Sequence, residues 1–343
     1  MTPPSAADPS AAPPAPPGFD ITRASHAVLR VADLDRARAF YEGVIGLIVT
    51  AAEGDRLYLR GIEEACHHSL VLERGSRAEA LAVGFRLRNA GHLPTAAAHF
   101  RAAGLKVEEV APPHQGPTLR LVDPAGVPVE LCAAMPVVPR MLLRTELHRG
   151  GRAQRLDHFQ LLTPRLPAAL AAWREAGFRL TEWIRADDGS PRGVFLSRKG
   201  NPHDLVFFHG DGPRLHHVAF TAPELHDLIA ACNAAAGMGY GDRVERGPGL
   251  HGPGHAHFVY IRDPDGHLVE LFTTHYQIID EEVPPVCWDI AEGGVVTPWG
   301  LPAPRRWFET ATEFAATPVA PAHPRPNPMT AERWLGVDPP APP

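Results

Sequence analysis

The sequence predicts an α+β protein in which four β-α-β-β-β modules pair into two domains, followed by a C-terminal lid segment. Three observations support this prediction. The chain has 343 residues, of which 44% are hydrophobic and 21% charged, enough to form packed cores in two domains. Short apolar strands alternate with single amphipathic helices. The second half of the chain also repeats the first half in the order, spacing and type of its residues.

The first half contains two successive modules. Asp33 is placed to cap the first helix, and the turn Asp123-Pro124-Ala125-Gly126 precedes the last strand. The predicted elements are strands at 25–31, 57–59, 68–72, 81–87, 118–122 and 129–132, with a helix that Asp33 caps and that ends near Gly43 or Gly46, and a second helix at 94–103. We expect an N-terminal structural domain at residues 21–135.

The second half repeats this pattern closely. The turn Asp263-Pro264-Asp265-Gly266 matches the earlier turn, and a glutamate follows the first aspartate by seven residues in both halves. The matching elements are strands at 158–162, 203–207, 217–220 and 267–272 and a helix at 167–176. We expect a C-terminal catalytic domain at residues 153–278, joined to the first domain by a connector at 134–152.

The ends of the chain have a different composition. Residues 1–20 are rich in proline and alanine and are predicted to form a disordered tail. Residues 279–316 contain several tryptophans and are predicted to form a lid over the second domain. Residues 317–343 return to a proline-rich composition and are predicted to be a second tail.

Composition excludes several classes of partner. A formal net charge of −6 gives no electrostatic basis for binding nucleic acid or an anionic membrane surface. No apolar run approaches the roughly 20 residues of a membrane span, and a secretory leader is not expected at the N-terminus. The cysteines are far apart, which favours a reduced cytoplasmic location; they are Cys66, Cys132, Cys232 and Cys287.

A buried carboxylate gives the first indication of chemistry. Glu270 lies in the middle of an apolar strand, where an unpaired carboxylate would cost several kcal/mol. His217 and His158 lie on strands of the same half. Two histidines and one carboxylate leave half of an octahedron open, which is the ligand set of non-haem Fe(II) oxygenases. Each histidine alone could instead be a core residue bonded to a backbone carbonyl.

Several segments carry a family resemblance. The segments HHVAF, RGPGLHGPG and YIRDPDGHLVELFTTHY resemble the extradiol ring-cleaving catechol dioxygenases of the vicinal-oxygen-chelate fold, over about residues 22–310. Within this family, the segments GIEEACHHSLVLERG, LDHFQLLTP, RKGNPHDLVFF and TPWGLPAPRRWFE are most similar to the branch that cleaves homoprotocatechuate.

The resemblance implies a function and a set of site residues. It implies insertion of both atoms of O2 into a small aromatic diol, with Fe(II) as cofactor and Mn(II) as an alternative, in a homo-oligomer that is a tetramer in relatives. It implies metal ligands His158, His217 and Glu270, catalytic residues His203, His251 and Tyr260, and substrate-binding residues Arg246 and Gln160. A histidine suits the acid–base role because its unperturbed pKa is about 6.5.

The sequence departs from the family at positions that concern the substrate. Gln160 stands where close relatives have asparagine, and the lid segment at 292–296 (EGGVV) lacks the arginine that helps bind a substrate carboxylate. Burying a carboxylate without a partner is unfavourable, so we expect a catechol with a neutral or differently charged substituent. In the first half, Ala82 replaces the second histidine and Arg120 replaces the tyrosine, which predicts a purely structural copy.

Three other functions remain open from the sequence. A 4-hydroxyphenylpyruvate dioxygenase would use the same triad but needs a 2-oxoacid site and has no counterpart of His203. A glyoxalase-type isomerase or lyase would use a more symmetric carboxylate set. A non-catalytic binding protein would have lost the ligands that are present here.

We also expect His216 to point away from the site if its strand is regular.

Overall fold

The structure is a computed structural model that describes residues 9, 11–280, 282–289, 292, 294, 296–323, 328 and 330–337. Two multi-stranded β-sheets with helices packed against them form the protein, which confirms the predicted α+β fold. None of the helices in the described residues is long and apolar enough to cross a lipid bilayer.

The first half forms an eight-stranded sheet within residues 21–132. Its elements are β1 (Ile21–Val31), α1 (Leu34–Phe40), β2 (Ile48–Glu53), β3 (Arg56–Arg60), β4 (Leu70–Arg74), β5 (Glu79–Leu87), α2 (Leu93–Ala102), β6 (Glu108–Val110), β7 (Thr118–Val122) and β8 (Pro128–Cys132). The strand order is β2-β3-β4-β1-β5-β8-β7-β6. The two modules therefore join where β1 pairs antiparallel with β5.

The second half has the same topology in the part of the chain that the structure describes. Its elements are β9 (Arg155–Thr163), α3 (Leu166–Glu175), β10 (Arg179–Arg185), β11 (Pro191–Ser197), β12 (Leu205–His209), β13 (Arg214–Thr221), α4 (Leu225–Gly237), β14 (Val244–Leu250), β15 (His257–Arg262) and β16 (Leu268–Thr273). The order is β14-β15-β16-β13-β9-β12-β11-β10, followed by a strand of the lid segment. These modules join where β9 pairs antiparallel with β13.

Several elements start and end as their residues dictate. The Asp33 carboxylate caps α1 by accepting hydrogen bonds from the amides of Asp35 and Arg36, as predicted. In the turn before β16, Asp263 accepts from the amides of Asp265 and His267. Gly266 follows with φ of 102°, a left-handed conformation that favours glycine.

Some elements differ from the sequence-based prediction. Strands β2, β6, β10 and β11 and helix α4 were not predicted; β6 is three residues long and mostly exposed, so it carries no burial pattern. The first part of the glycine-rich segment RGPGLHGPG belongs to β14, which ends at Leu250. His68 and His203 each lie two residues before the strand to which they were assigned.

The segments predicted as tails and lid are partly packed. Phe19 is buried, and the Arg174 guanidinium donates to the carbonyls of Ala11 and Ala12. The lid contributes β17 (Val286–Asp289), α5 (Arg305–Glu309) and β18 (Thr312–Glu313), and the last described helix is α6 (Ala331–Trp334). The rest of the predicted tails, at 1–8, 10, 324–327, 329 and 338–343, and lid positions 281, 290, 291, 293 and 295, lie outside the described residues. The domain boundaries stay predictions.

Two reciprocal hydrogen bonds join the halves. The Tyr41 hydroxyl, just after α1, donates to Asp263 Oδ2 in the second half at 3.0 Å. Trp173 Nε1, on α3, donates to Asp123 Oδ2 in the first half at 2.9 Å. Each aspartate opens the tight turn of its own half, so the helix of one half fixes the turn of the other. Trp173 also packs against Phe85 of the first half, and one apolar core runs through both halves.

A buried carboxylate anchors the turn that follows β14. Both oxygens of Glu182, on β10, accept from the amide of Gly254 at 3.0 and 3.1 Å, and Tyr276 donates its hydroxyl to Oε1 at 3.0 Å. Burial raises the pKa of Glu182 to about 7, although these hydrogen bonds lower it. Protonated Glu182 therefore stabilises the folded protein. This contribution to the free energy of unfolding is complete below the pKa that the group has in the unfolded chain, and it is lost as the pH rises through about 7.

Replacing Trp173 by phenylalanine should lower the free energy of unfolding by about 2–4 kcal/mol, because Asp123 loses a buried donor and a small cavity forms. Urea unfolding measures this change. The exposed Trp334 provides the matched control, and Trp334→Phe should change stability by less than about 0.5 kcal/mol. Equal effects of the two substitutions would contradict the proposed link between the halves.

Glu182→Gln should become more stable relative to the wild type as the pH rises. The amide cannot ionise, so the difference in free energy of unfolding should shift by about 2–3 kcal/mol between about pH 5 and about pH 8. Chemical denaturation at both pH values measures it. The exposed Glu175 serves as control, and Glu175→Gln should show no such shift. A pH-independent difference for Glu182→Gln would argue against the raised pKa.

Candidate active site

Three side chains of the second half converge on one point from neighbouring strands. His158 lies on β9, His217 on β13 and Glu270 on β16, and β13 runs between the other two strands. Ala219 pairs with His158 on one side and with Glu270 on the other, two residues from His217. Because alternate residues of a strand share a face, all three donors point to the same side, above the small Ala219.

The distances between the three donor atoms fit a metal ion. Glu270 Oε2 lies 3.2 Å from His158 Nε2 and 3.1 Å from His217 Nε2, and the two imidazole nitrogens are 3.4 Å apart. Two donors that each lie about 2.1 Å from a metal at right angles are about 3.0 Å apart. Two nitrogens and one oxygen on one face suit Fe(II) or Mn(II). Among the histidine, cysteine and acidic side chains of the described residues, these three have ligand atoms that lie close enough together to hold one ion.

The orientation of His158 is fixed by its neighbour. Asp157 Oδ2 lies 2.9 Å from His158 Nδ1, so the ring donates there and its Nε2 is free to face the metal position. Asp157 is itself held by Asn201 Nδ2 at 2.8 Å and by the buried ammonium of Lys199. Sequence analysis did not identify Asp157, Lys199 or Asn201, although all three lie within segments that carry the family resemblance.

The orientation of His217 is fixed by a second histidine. His216 Nε2 lies 2.8 Å from the carbonyl of Trp307 and must donate to it. His216 Nδ1 is then an acceptor, and His217 Nδ1 donates to it at 2.8 Å, which leaves Nε2 of His217 unprotonated for a metal. The expectation that His216 points to the opposite face was wrong, because a register shift between Leu215 and His217 brings both rings to one side.

The charges of the triad are balanced internally. Burial alone would raise the pKa of Glu270, but the contacts of its carboxylate with the imidazoles of His158 and His217 hold that pKa well below its usual range. Burial would lower the pKa of His158, but Asp157 and Glu270 raise it to about 9. The buried carboxylate therefore attracts either a proton on His158 or a cation in the same place, so metal binding competes with protonation.

His203 lies beside the triad without belonging to it. Its ring centroid is 4.4 Å from that of His158, 4.8 Å from His275 and 5.2 Å from Phe195. Among the described residues, its Nδ1 has no hydrogen-bond partner although the side chain is buried. Burial, followed by the nearby histidines, lowers the pKa of His203 well below its ordinary value, so the ring is neutral and can accept a proton.

Polar groups on β14, β15 and the turn between them border the other side. The Tyr260 hydroxyl lies 2.9 Å from His251 Nε2, and Tyr260 is directly opposite Glu270 in the sheet. Arg246 lies between the rings of Phe258 and Trp307, 4.8 and 4.9 Å from their centroids. It donates to the hydroxyl of Thr297 at 3.0 Å.

All eight residues predicted from the sequence to belong to the site line one cavity of about 660 Å³. Gln160 is among them, and within the described residues its buried Nε2 has no hydrogen-bond partner, so it can donate into the cavity. The cavity wall also contains residues that sequence analysis did not nominate, namely Arg192, Phe195, His209, His216, His275 and Trp307. The fold therefore brings the predicted site residues together in one cavity, and apolar and cationic side chains complete the cavity wall.

In the first half, the position equivalent to the triad has different side-chain contacts. Glu130 is placed on β8 as Glu270 is on β16, opposite Gly84 where the second half has Ala219. Its carboxylate accepts from Arg120 Nε at 2.7 Å and from Gln115 Nε2 at 2.6 Å, and lies 3.0 Å from His26 Nε2. A guanidinium thus neutralises the buried carboxylate, which is consistent with the predicted structural role of this copy.

Comparison with known proteins matches both halves separately. Residues 23–131 and 155–271 each match the model of the Glyoxalase/Bleomycin resistance protein/Dioxygenase superfamily. A manganese-dependent 2,3-dihydroxybiphenyl 1,2-dioxygenase of Geobacillus genomosp. 3 is 29% identical over 287 residues, covering 78% of this chain and 90% of that protein. A metapyrocatechase of a Pseudomonas species is 29% identical over 283 residues, covering 78% and 91%.

Solved structures agree in fold and sequence. A homoprotocatechuate 2,3-dioxygenase of Brevibacterium fuscum, in an anaerobic complex with 3,4-dihydroxyphenylacetate, is 36% identical with a TM-score of 0.85 and covers 90% of this chain and 98% of that chain. The enzyme of the same name from Arthrobacter globiformis is 35% identical with a TM-score of 0.85, covering 89% and 98%. The chain belongs to the Glyoxalase/Bleomycin resistance protein/Dioxygenase superfamily.

Proposed function

We propose that this protein is a metal-dependent extradiol dioxygenase that inserts both atoms of O2 into a substituted catechol and yields a hydroxymuconic semialdehyde-type product. The observation that carries the proposal is the open face of the triad, His158, His217 and Glu270. Beside it lies a neutral His203 whose Nδ1 has no hydrogen-bond partner in the part of the chain that the structure describes. The relatives that cover most of the chain are named as dioxygenases of this type.

The triad residues would hold the metal. His158, His217 and Glu270 supply three donors on one side, which leaves room for both a diol and O2 on the other. Bound Fe(II) or Mn(II) would supply the electron transfer that brings the diol and O2 to react. Asp157 and His216 contribute by fixing the tautomers of the two histidine ligands, so that the ring nitrogens are presented unprotonated.

His203 would act as the acid–base group. Because its buried ring is neutral, it can take a proton from a diol hydroxyl when the substrate binds. It can return that proton to a substrate oxygen as the ring opens. Phe195 packs against the imidazole and keeps bulk water from that side, which favours transfer between His203 and the substrate over exchange with solvent.

The remaining polar groups would orient the diol. The Tyr260 hydroxyl and His251 share a hydrogen bond at 2.9 Å near Glu270, so either can turn to a substrate oxygen. Arg246, buried between two rings, places a positive charge near the same oxygens. Gln160, on β9, has a side-chain amide that can donate a hydrogen bond to the substrate. Assembly as a homo-oligomer and a cytoplasmic location stay predictions.

His203→Phe should retain metal but turn over catechols about 10²–10⁴-fold more slowly, because the ring can no longer move a proton. Protein reconstituted anaerobically with Fe(II) or Mn(II) is given a panel of catechols and O2, and the yellow ring-opened product is followed. The exposed His226 on α4 serves as control, and His226→Phe should match the wild type. Unchanged turnover in His203→Phe would remove this residue from the mechanism, and a wild type that cleaves no catechol would refute the proposed function.

His216→Phe should weaken metal binding about 10–100-fold while keeping the ligands, because His217 loses the acceptor that fixes its tautomer. Competition with a chelator measures the affinity. Glu270→Ala should lose the metal outright.

The first half provides matched controls for both substitutions. His67 contacts His68 at 3.1 Å between their Nδ1 atoms, as His216 contacts His217, and Glu130 matches Glu270. His67→Phe and Glu130→Ala should therefore leave metal content unchanged in the folded protein. Full metal occupancy in Glu270→Ala would refute the assigned triad.

A further inference from the structure

A register shift in β11 places an arginine in the wall of the active-site cavity. Ile184 pairs with Gly193, but the next residue, Arg185, pairs with Pro191, so Arg192 is an extra residue in its strand. Such a bulge interrupts the alternation of side chains and redirects one of them. Arg192 accordingly lines the same cavity as the metal triad.

Arg192 has no counter-charge among the described residues. No carboxylate, aromatic face or hydrogen-bond acceptor in the described part of the chain contacts its guanidinium. Its side chain is half-buried, and burial lowers its pKa below the ordinary value. Glu292 also lines the cavity but is exposed, and forms no ion pair with Arg192. A cation partly removed from water without a partner is unfavourable, and an anionic ligand would relieve that penalty.

An apolar wall separates Arg192 from the metal end of the cavity. His203 contacts Phe195 at 5.2 Å, and Phe195 contacts Phe208 at 6.0 Å between ring centroids. The Phe208 ring lies where Gly193 would carry a Cβ atom, at 2.8 Å, so a side chain next to Arg192 would displace it. Phe208 pairs with Gly193, the neighbour of Arg192, so Phe195 and Phe208 line the wall between His203 and the strand segment that carries Arg192.

We propose that Arg192 binds a carboxylate at the end of an extended arm on the catechol ring. The preferred substrate is then a catechol whose arm crosses the apolar wall, such as 3-(3,4-dihydroxyphenyl)propionate, rather than one with a single methylene before the acid. This inference rests on the proposed function and revises the expectation of a neutral substituent. The lid segment fits it, because Val296 packs with Ile184, Phe195 and Val206 as part of the apolar wall, while Val295 lies outside the described residues.

The test compares four ligands that differ in charge and arm length: 3-(3,4-dihydroxyphenyl)propionate, its methyl ester, 3,4-dihydroxyphenylacetate and 4-propylcatechol. In the wild type, kcat/KM should favour the propionate over its ester by about 10- to 100-fold, and over the acetate as well. Arg192→Gln should abolish the preference for the acid by raising its KM while leaving 4-propylcatechol unaffected. Arg192→Lys should restore part of it. The control is Arg101, exposed on α2, and Arg101→Gln should change nothing.

Calorimetry of the same ligands under anaerobic conditions separates this inference from the proposed function. If the wild type cleaves none of the four catechols, the proposed function fails, and the difference in affinity between acid and ester still reports on Arg192. A wild type that binds acid and ester equally, or an Arg192→Gln variant that keeps the preference for the acid, would overturn the role of Arg192. A preference for the acetate over the propionate would overturn the extended arm.

Discussion

A carboxylate buried in the centre of a sheet is the constraint on which both halves depend. In each half, the last strand of the repeat carries a glutamate near its centre in an apolar setting, where an uncompensated charge would be strongly unfavourable. In the first half, Arg120 and His26 compensate Glu130, and the arrangement is complete within the chain. In the second half, a tyrosine replaces the arginine and two histidines face Glu270, so the compensating charge is either a proton on His158 or a bound cation. The buried carboxylate of the first half is therefore neutralised by side chains of the chain itself, whereas that of the second half can bind a metal.

The lid segment is part of the metal site rather than an addition to it. The carbonyl of Trp307, on α5, accepts the hydrogen bond that sets the tautomer of His216, and His216 in turn sets that of His217. Trp307 also packs on Arg246 and closes one side of the cavity. A shift of α5 would therefore change both the shape of the cavity and the orientation of a ligand, because the same residue contributes to both.

The sequence predicted the modules because they are repeated, whereas the triad was predicted from a charge in an apolar strand and from the family resemblance. Matching spacings in the two halves identified the strands, and Glu270 stood out as a charge in an apolar strand. The prediction failed where a strand is irregular. The orientation of His216 was missed because a bulge adds one residue to β13 and changes which side chains face the cavity, and nothing in the alternation of residues marks where that occurs. Arg192 was missed because its strand, β11, was not predicted, and a bulge there redirects the side chain.

These two bulges also explain how one sheet face carries so many functional groups. A regular strand presents only every second residue to the cavity, so each strand offers few positions. The bulge in β13 adds His216 at the metal end, and the bulge in β11 adds Arg192 at the far end. Phe195 and Phe208 lie between them, so the side chain proposed to hold a substrate arm is separate from those proposed to hold the metal. Substrate preference can therefore vary in this fold while the metal site stays constant.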